Sequence, residues 1–513
     1  MKIFAAIDIG SYETGMKIFQ ISKRNGLKQL DFVRHRVELG TDTYRTGRIS
    51  NTHMDELCSV LEGFNQIMAS YKVDDYVAYG TSALREAEST MIILDQIRIR
   101  TGLNVKVLSN SEQRFLDYKS VALKGGKDFD ELINHGTLFI DIGGGSTQVS
   151  IFEKGILNST VNLPLGILKI RSLLRALEPG RSKYIELLNE EIVNELFSFK
   201  RQYLRDKDIE NLVVIDDYLP YMMQKFRGAG APDEVTAESY TAYTDEIKLK
   251  SAEEIAKSVG IAPENASLML PSAMLINHLV KDTGCKRVKI PGVTLSDGIA
   301  YDYADKAKVI KAVHDFDMDI LSCADVISAK YKCNGYRQQA LLMTSLAIFD
   351  NMKKIHGLSK RDRLLLELSA RLRNVGRYVS LSSPAHSSYS IIMGTEIIGI
   401  SHVERAMVAN IVFNSFTDEF SYADFNNEEL DADQSLRVIK LAAILHLSAS
   451  LAQNPKKKYA KVMAALKDSE LLITIQSKSD ITLERGNFNN RADCFEEVFG
   501  IKPVLKYKGV NEI

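Results

Sequence analysis

The stretch Ile140-Asp141-Ile142-Gly143-Gly144-Gly145-Ser146-Thr147 decides how this chain is read. Leu138-Phe139 before it and a strand-like run after it describe a strand, a tight turn and a second strand. Glycine lets such a turn close tightly and aim backbone N–H groups at an anion. An aspartate at the strand end can hold a hydrated metal ion or an attacking water. A second copy stands far earlier in the chain, Ile7-Asp8-Ile9-Gly10-Ser11 behind Ile3-Phe4-Ala5-Ala6. One Asp-x-Gly is ordinary turn chemistry. Two, each inside a hairpin pattern, are what a duplicated fold needs if a phosphorylated ligand lies between its halves.

At 513 residues the chain is too long for one core. Hydrophobic residues make up 45% and charged residues 26%, an ordinary globular balance. A net charge of −1 gives no general attraction to DNA or to an anionic membrane, so a polyanion must be bound by a local patch. The five cysteines (Cys58, Cys285, Cys323, Cys333, Cys494) are scattered, against a disulfide framework or thiolate metal site and in keeping with a reducing cytoplasm. Met1-Lys2 leads straight into a strand pattern, and no apolar run approaches bilayer length. The expectation is a cytoplasmic protein without DNA or membrane partners.

Up to residue 125, strand-like runs (16–21, 30–38, 76–80, 104–108) alternate with helical patterns (54–71, 89–100), which is α/β organisation. A polar stretch, Lys124-Gly125-Gly126-Lys127-Asp128, leads to the second Asp-x-Gly hairpin. Strands are expected again at 211–215 and 287–290. From about residue 309 the pattern changes to long amphipathic helices (337–355, 361–375), with strand-like runs at 471–476, 481–484 and 503–507. Three domains follow: 1–125, 126–306 and a mainly helical 307–513. Lys456-Lys457-Lys458 reads as a solvated loop.

Beside the two Asp-x-Gly loops stand Arg36-Val37-Glu38-Leu39-Gly40, Thr46-Gly47-Arg48-Ile49-Ser50 and Gly80-Thr81-Ser82-Ala83-Leu84-Arg85-Glu86-Ala87. Together they resemble the exopolyphosphatase / guanosine pentaphosphate phosphohydrolase family (Ppx/GppA). The resemblance implies two actin-like α/β domains of the sugar kinase/actin ATPase type and a C-terminal, mainly helical HD-like domain. The cues for the latter are Asn374-Val375-Gly376, His386-Ser387-Ser388-Tyr389 and Leu441-Ala442-Ala443-Ile444-Leu445. It also implies hydrolysis of a terminal phosphoryl group, from polyphosphate or a guanosine alarmone, assisted by Mg²⁺. Phosphate binding then falls to Asp8, Gly10, Ser11, Gly143, Gly144, Gly145, Ser146 and Thr147. Asp141 and Asp8 are the metal candidates and Arg85 the clamp. Long family members imply a homodimer.

The departures bear on turnover. At the position of the family's catalytic base stands Gln113, next to Glu112, and a second family glutamate is Gln148. An amide accepts no proton near neutrality, and loss of a general base costs about 10²–10⁴-fold in rate. Glutamine still orients water in some GTPases. A Gly-Gly-Thr-type loop reads Ile215-Asp216-Asp217-Tyr218, and a Leu-Arg-Glu-Gly string reads Leu295-Ser296-Asp297-Gly298. The His-Asp pair of an HD site reads Arg373-Asn374, so no metal is expected there. The rival to a hydrolase is therefore a phosphate-ligand-binding regulatory or scaffold protein. An ATP-dependent kinase fits less well, because the nucleotide-side glycine loop is missing.

Overall fold

Strand β1 (Lys2–Ile9) buries both faces, which is why its middle, Phe4-Ala5-Ala6-Ile7, is continuously apolar rather than alternating. It pairs antiparallel with β2 (Glu13–Ser22), which pairs with β3 (Gly26–Arg36), and parallel with β4 (Asp75–Gly80), itself parallel to β5 (Val105–Val107). The order is β3-β2-β1-β4-β5.

The computed structural model describes every residue except 25, 178–179, 229–231, 418–429, 455, 457–458, 468 and 510–513. Two of the three lysines at 456–458 thus lie outside the described residues. The chain divides into two compact units, Met1–Asp315 and Phe316–Ile513.

The first unit repeats its sheet. Strands β6 (Thr137–Ile142), β7 (Thr147–Glu153) and β8 (Ile156–Leu163) form an antiparallel meander. Strand β9 (Asn211–Ile215) runs parallel to β6, and β11 (Arg287–Lys289) parallel to β9. The order β8-β7-β6-β9-β11 reproduces that of the first sheet, with β10 (Glu234–Thr236) added at the edge. Both Asp-x-Gly turns therefore join the first two strands of equivalent sheets.

A helix follows the last parallel strand of each sheet. The first, Asn110–Gly125, opens on a capping box in which Ser109 and Glu112 satisfy each other's backbone N–H groups. The second, Leu295–Lys306, opens where Thr294 N–H donates to Asp297 Oδ2 at 2.8 Å. The two helices pack directly on each other at Gly298, where a Cβ would lie 2.0 Å from the Leu116 carbonyl oxygen. Two buried ion pairs hold this layer: Lys17 Nζ to Asp297 Oδ2 at 2.7 Å, and Lys119 Nζ to Asp302 Oδ1 at 2.6 Å.

The second unit is mainly helical, with a three-stranded sheet of β12 (Tyr459–Lys467), β13 (Glu470–Ser477) and β14 (Lys502–Gly509). Two sequence readings are corrected there. Residues 481–484 do not form a strand: Ile481 precedes a helix, Thr482–Phe499, whose inward side buries Phe488 and Phe495. Strand β12 was absent from the sequence reading because its apolar residues do not alternate cleanly. Arg373 is buried, its guanidinium 3.8 Å from the centre of the Phe416 ring and donating to Ser415 Oγ at 2.8 Å. Burial brings it down to about 9, with Arg491 and Arg377 adding to the effect.

Gly298→Ala is expected to destabilise the chain by about 1–3 kcal/mol, the usual cost of overpacking, without a change in denaturant m-value. Urea unfolding of the first unit's transition tests this; an unchanged midpoint contradicts the close helix approach.

Candidate functional site

Side chains alternate along a strand, and that places both aspartates. In β1, Ala5, Ile7 and Ile9 pack in one cluster while Phe4 and Ala6 pack in another with Leu116, Leu295 and Ile299. Asp8 shares the Phe4–Ala6 face. In β6, Leu138, Ile140 and Ile142 enter their own core, and Phe139 faces Tyr118 edge-on at 5.6 Å. Asp141 shares the Phe139 face. Each sheet thus turns its aspartate toward helix Asn110–Gly125, which carries both Leu116 and Tyr118.

A cleft results. Asp8, Gly10, Ser11, Gln113, Asp117, Asp141, Gly143, Gly144, Asp216 and Asp217 line it, with Glu13 and Arg34. The two turns come into contact here: a Cβ on Gly144 would lie 3.0 Å from Ser11 Cβ and 2.6 Å from Leu168 Cδ1. Ser11 Oγ, Tyr44 Oη and Ser82 Oγ form a closed ring of hydroxyls at 2.7, 2.8 and 2.8 Å. The N–H groups of Gly10 and Gly143 are engaged inside their turns, donating to Glu13 O and Ser146 O at 3.0 Å each. Those of Ser11 and Gly144 have no internal acceptor among the described residues.

Gln113, not Glu112, faces the cleft. Its Nε2 donates to Asp141 Oδ2 at 3.3 Å, and its Oε1 is buried without a partner. Glu112 Oε2 instead accepts from Ser109 N and Ser109 Oγ at 2.9 and 2.8 Å, a capping role already visible as Ser-x-x-Glu in the sequence. Arg85 is not brought to the cleft: its Nη1 donates to the Leu108 carbonyl at 2.6 Å. The basic side chain that does line it is Arg34, which donates to Glu13 Oε2 at 3.3 Å and Tyr221 Oη at 2.8 Å. Gln148 lies opposite Asp141 in the ladder but is held by Arg114 Nε at 3.0 Å. Thr147 Oγ1 donates to the Leu165 carbonyl at 2.6 Å. Gly145 backs onto Tyr44, and Ser146 closes the turn through its carbonyl. None of these four lines the cleft.

Asp117 was missed by the sequence reading. It stands one helical turn beyond Gln113, is 3% exposed, and lines the cleft beside Asp141. A lone carboxylate in a helix reads as surface; the available signal was its i,i+4 spacing from Gln113.

Acid crowding governs the electrostatics. Burial, then the charges of Asp217 and Asp141, pushes Asp8 up to about 8. Burial likewise raises Asp117, Asp141 and Asp217. Asp216 rises by burial to about 6, eased by the Leu219 and Tyr218 N–H groups at 2.7 Å and Ser272 Oγ at 2.8 Å. Its Oδ1 is occupied by these two N–H groups at the start of helix Leu219–Arg227, so it faces the cleft less openly than its sequence suggests.

The residues suit a magnesium ion. Asp8 Oδ1 is buried without a partner beside the carboxylate of Asp141. Among the described residues no three His, Cys, Asp or Glu side chains form a ready-made cage. Mg²⁺ characteristically takes one or two carboxylates and completes its shell with water and phosphate oxygens.

Residues 18–307 match the model of the Ppx/GppA phosphatase family, and 322–489 that of Ppx/GppA phosphatase, domain III. The chain belongs to the Ppx/GppA phosphatase family. It is similar to exopolyphosphatase 1 of Mycobacterium tuberculosis, at 26% identity over 178 residues, 34% of this chain and 50% of that protein. It thus spans half the length of that relative. It is also similar to the guanosine-5′-triphosphate,3′-diphosphate pyrophosphatase of Photobacterium profundum, at 21% identity over 86% of each chain. Among solved structures, an exopolyphosphatase from Cytophaga hutchinsonii is 19% identical, covering 60% of this chain and all of its own, with a TM-score of 0.53. The Aquifex aeolicus Ppx/GppA family member is 20% identical, covering 60% and 98%, at 0.50. At these identities the likeness establishes the actin-like fold of the first unit. No single helix among the described residues is long and apolar enough to cross a membrane.

A carboxyl that binds its proton more tightly when folded stabilises the fold fully below its unfolded value, near 4. That contribution is lost as pH rises through the folded value. For Asp8 and Asp216 the window runs from about 4 to about 8. In EDTA, melting temperature is expected to fall between pH 5 and pH 8, and Asp8→Asn to flatten the slope. A wild-type profile flat across this range contradicts the acid crowding.

Proposed function

We propose that this chain is a phosphohydrolase that removes a terminal phosphoryl group from polyphosphate or from a guanosine alarmone such as guanosine pentaphosphate, with Mg²⁺. The carrying observation is that two equivalent Asp-x-Gly turns face one cleft, with unoccupied N–H donors on Ser11 and Gly144 and an unpartnered oxygen on Asp8. A phosphoryl-transfer transition state is loose and places charge on equatorial oxygens, so fixed donors and positive charge matter most. Asp8 and Asp141 would hold the ion, which supplies charge neutralisation when bound. Arg34 lines the same cleft and brings a positive charge to it, its two terminal nitrogens already donating to Glu13 and Tyr221. The family membership and the printed names of the two relatives support this reading.

A second reading has its own observation. The side chain at the expected base position is an amide tied to Asp141, in a cleft that five aspartates and Glu13 crowd. A phosphate-ligand-binding regulatory protein on the same scaffold needs no base.

One assay separates them. Phosphate release from long-chain polyphosphate is expected with Mg²⁺ and not with EDTA. Asp141→Asn is expected to lower kcat/KM about 100-fold, a few kcal/mol of charge stabilisation. Polyphosphate binding by calorimetry without phosphate release supports the regulatory reading instead.

A further inference from the structure

We infer that the attacking water is held by two acceptors on one face of helix Asn110–Gly125, Gln113 Oε1 and Asp117 Oδ2, which orient it without a general base. The inference rests on the phosphohydrolase reading.

Residues four apart on a helix share a face, so both side chains reach the same part of the cleft, and both line it. Gln113 is fixed in orientation: its amide nitrogen must meet the Asp141 carboxylate, since a carbonyl oxygen there would be repelled. That leaves Oε1 pointing away, buried and without a partner. Asp117 is 3% exposed, lines the cleft beside Asp141, and has Oδ2 buried without a hydrogen-bond partner. Buried polar atoms without partners are rare in folded proteins and mark functional places when several converge. Two neighbouring acceptors are satisfied together by a small molecule with two donors. Water is that molecule, and both its lone pairs then remain free to face the phosphate turns.

The chemistry balances without a residue changing its protonation. A lone pair of the water forms the new P–O bond, and the bond from phosphorus to the bridging oxygen breaks. The leaving chain takes that electron pair. The water's protons stay on the released phosphate, which departs as dihydrogen phosphate. A loose transition state asks little of a base, so two well-placed acceptors are sufficient to orient the nucleophile. Asp117 acts here as an acceptor, through Oδ2.

Three variants test this: Asp117→Leu, Asp117→Asn and Gln113→Leu. Each is assayed for kcat and KM on polyphosphate, for Mg²⁺ and polyphosphate affinity by calorimetry, and for melting temperature. Asp117→Leu is expected to lose about 100-fold in kcat, with KM and both affinities unchanged and a melting temperature at or above wild type. Asp117→Asn keeps an acceptor oxygen while its amide serves Asp141, and is expected to recover at least tenfold of that loss. Gln113→Leu should resemble Asp117→Leu. Wild-type kcat in Asp117→Leu overturns the assignment while leaving the hydrolase standing. So does a loss that appears in Mg²⁺ affinity or KM instead of kcat, or no recovery in Asp117→Asn. A wild-type protein that binds polyphosphate without releasing phosphate overturns this assignment together with the hydrolase reading.

Discussion

The contact between the Ser11 and Gly144 turns is the constraint on which the first unit depends. The two sheets share one cleft because their leading hairpins meet closely, and Gly144 has no space for a side chain beside Ser11 Cβ and Leu168. Once the turns touch, the strand registers behind them are set. Asp8 and Asp141 then lie on faces that converge on one helix, because a one-residue slip in either strand would turn its aspartate into the opposite core. The hydroxyl ring of Ser11, Tyr44 and Ser82 braces the same point.

That convergence has an energetic cost. Gathering Asp8, Asp117, Asp141, Asp216 and Asp217 around one cavity opposes ionisation of each and leaves acceptor oxygens without partners. Binding sites commonly hold such tension, since the groups that would relieve it are the ligand, its counter-ions and ordered water. The buried pairs Lys17–Asp297 and Lys119–Asp302 neutralise the surrounding layer but leave the cleft itself acidic.

The duplicated turns, the α/β class and the change to helices were legible because they depend on short-range pattern: apolar strands, glycine after aspartate, and period. The destinations of individual long side chains were not. Arg85 and Glu112 sit in strings that suggest chemistry, yet each is captured by a nearby backbone group, one at the Leu108 carbonyl and one at the Ser109 cap. Gln148 is adjacent to Asp141 across the ladder and still belongs to Arg114. Asp117 carries the reverse lesson. Its importance arises from burial, and burial follows from which helix face the two sheets cover, a tertiary fact that one sequence does not display. In the second unit, residues 481–484 look β-like locally, but Phe488 and Phe495 make the segment helical by giving it a core-facing side.

The repeated strand order has a consequence for direction. Two equivalent hairpins make a nearly symmetric cradle. Such a cradle alone does not distinguish one end of a bound molecule from the other. The paired helices break the tie. Counted from their first residues, Gln113 and Asp117 on one helix correspond to Gly298 and Asp302 on the other. Gly298 has no side chain to offer, and Asp302 is neutralised by Lys119 and Lys306. The two sheets thus share one strand order, while of the paired helices only Asn110–Gly125 turns Gln113 and Asp117 into the cleft.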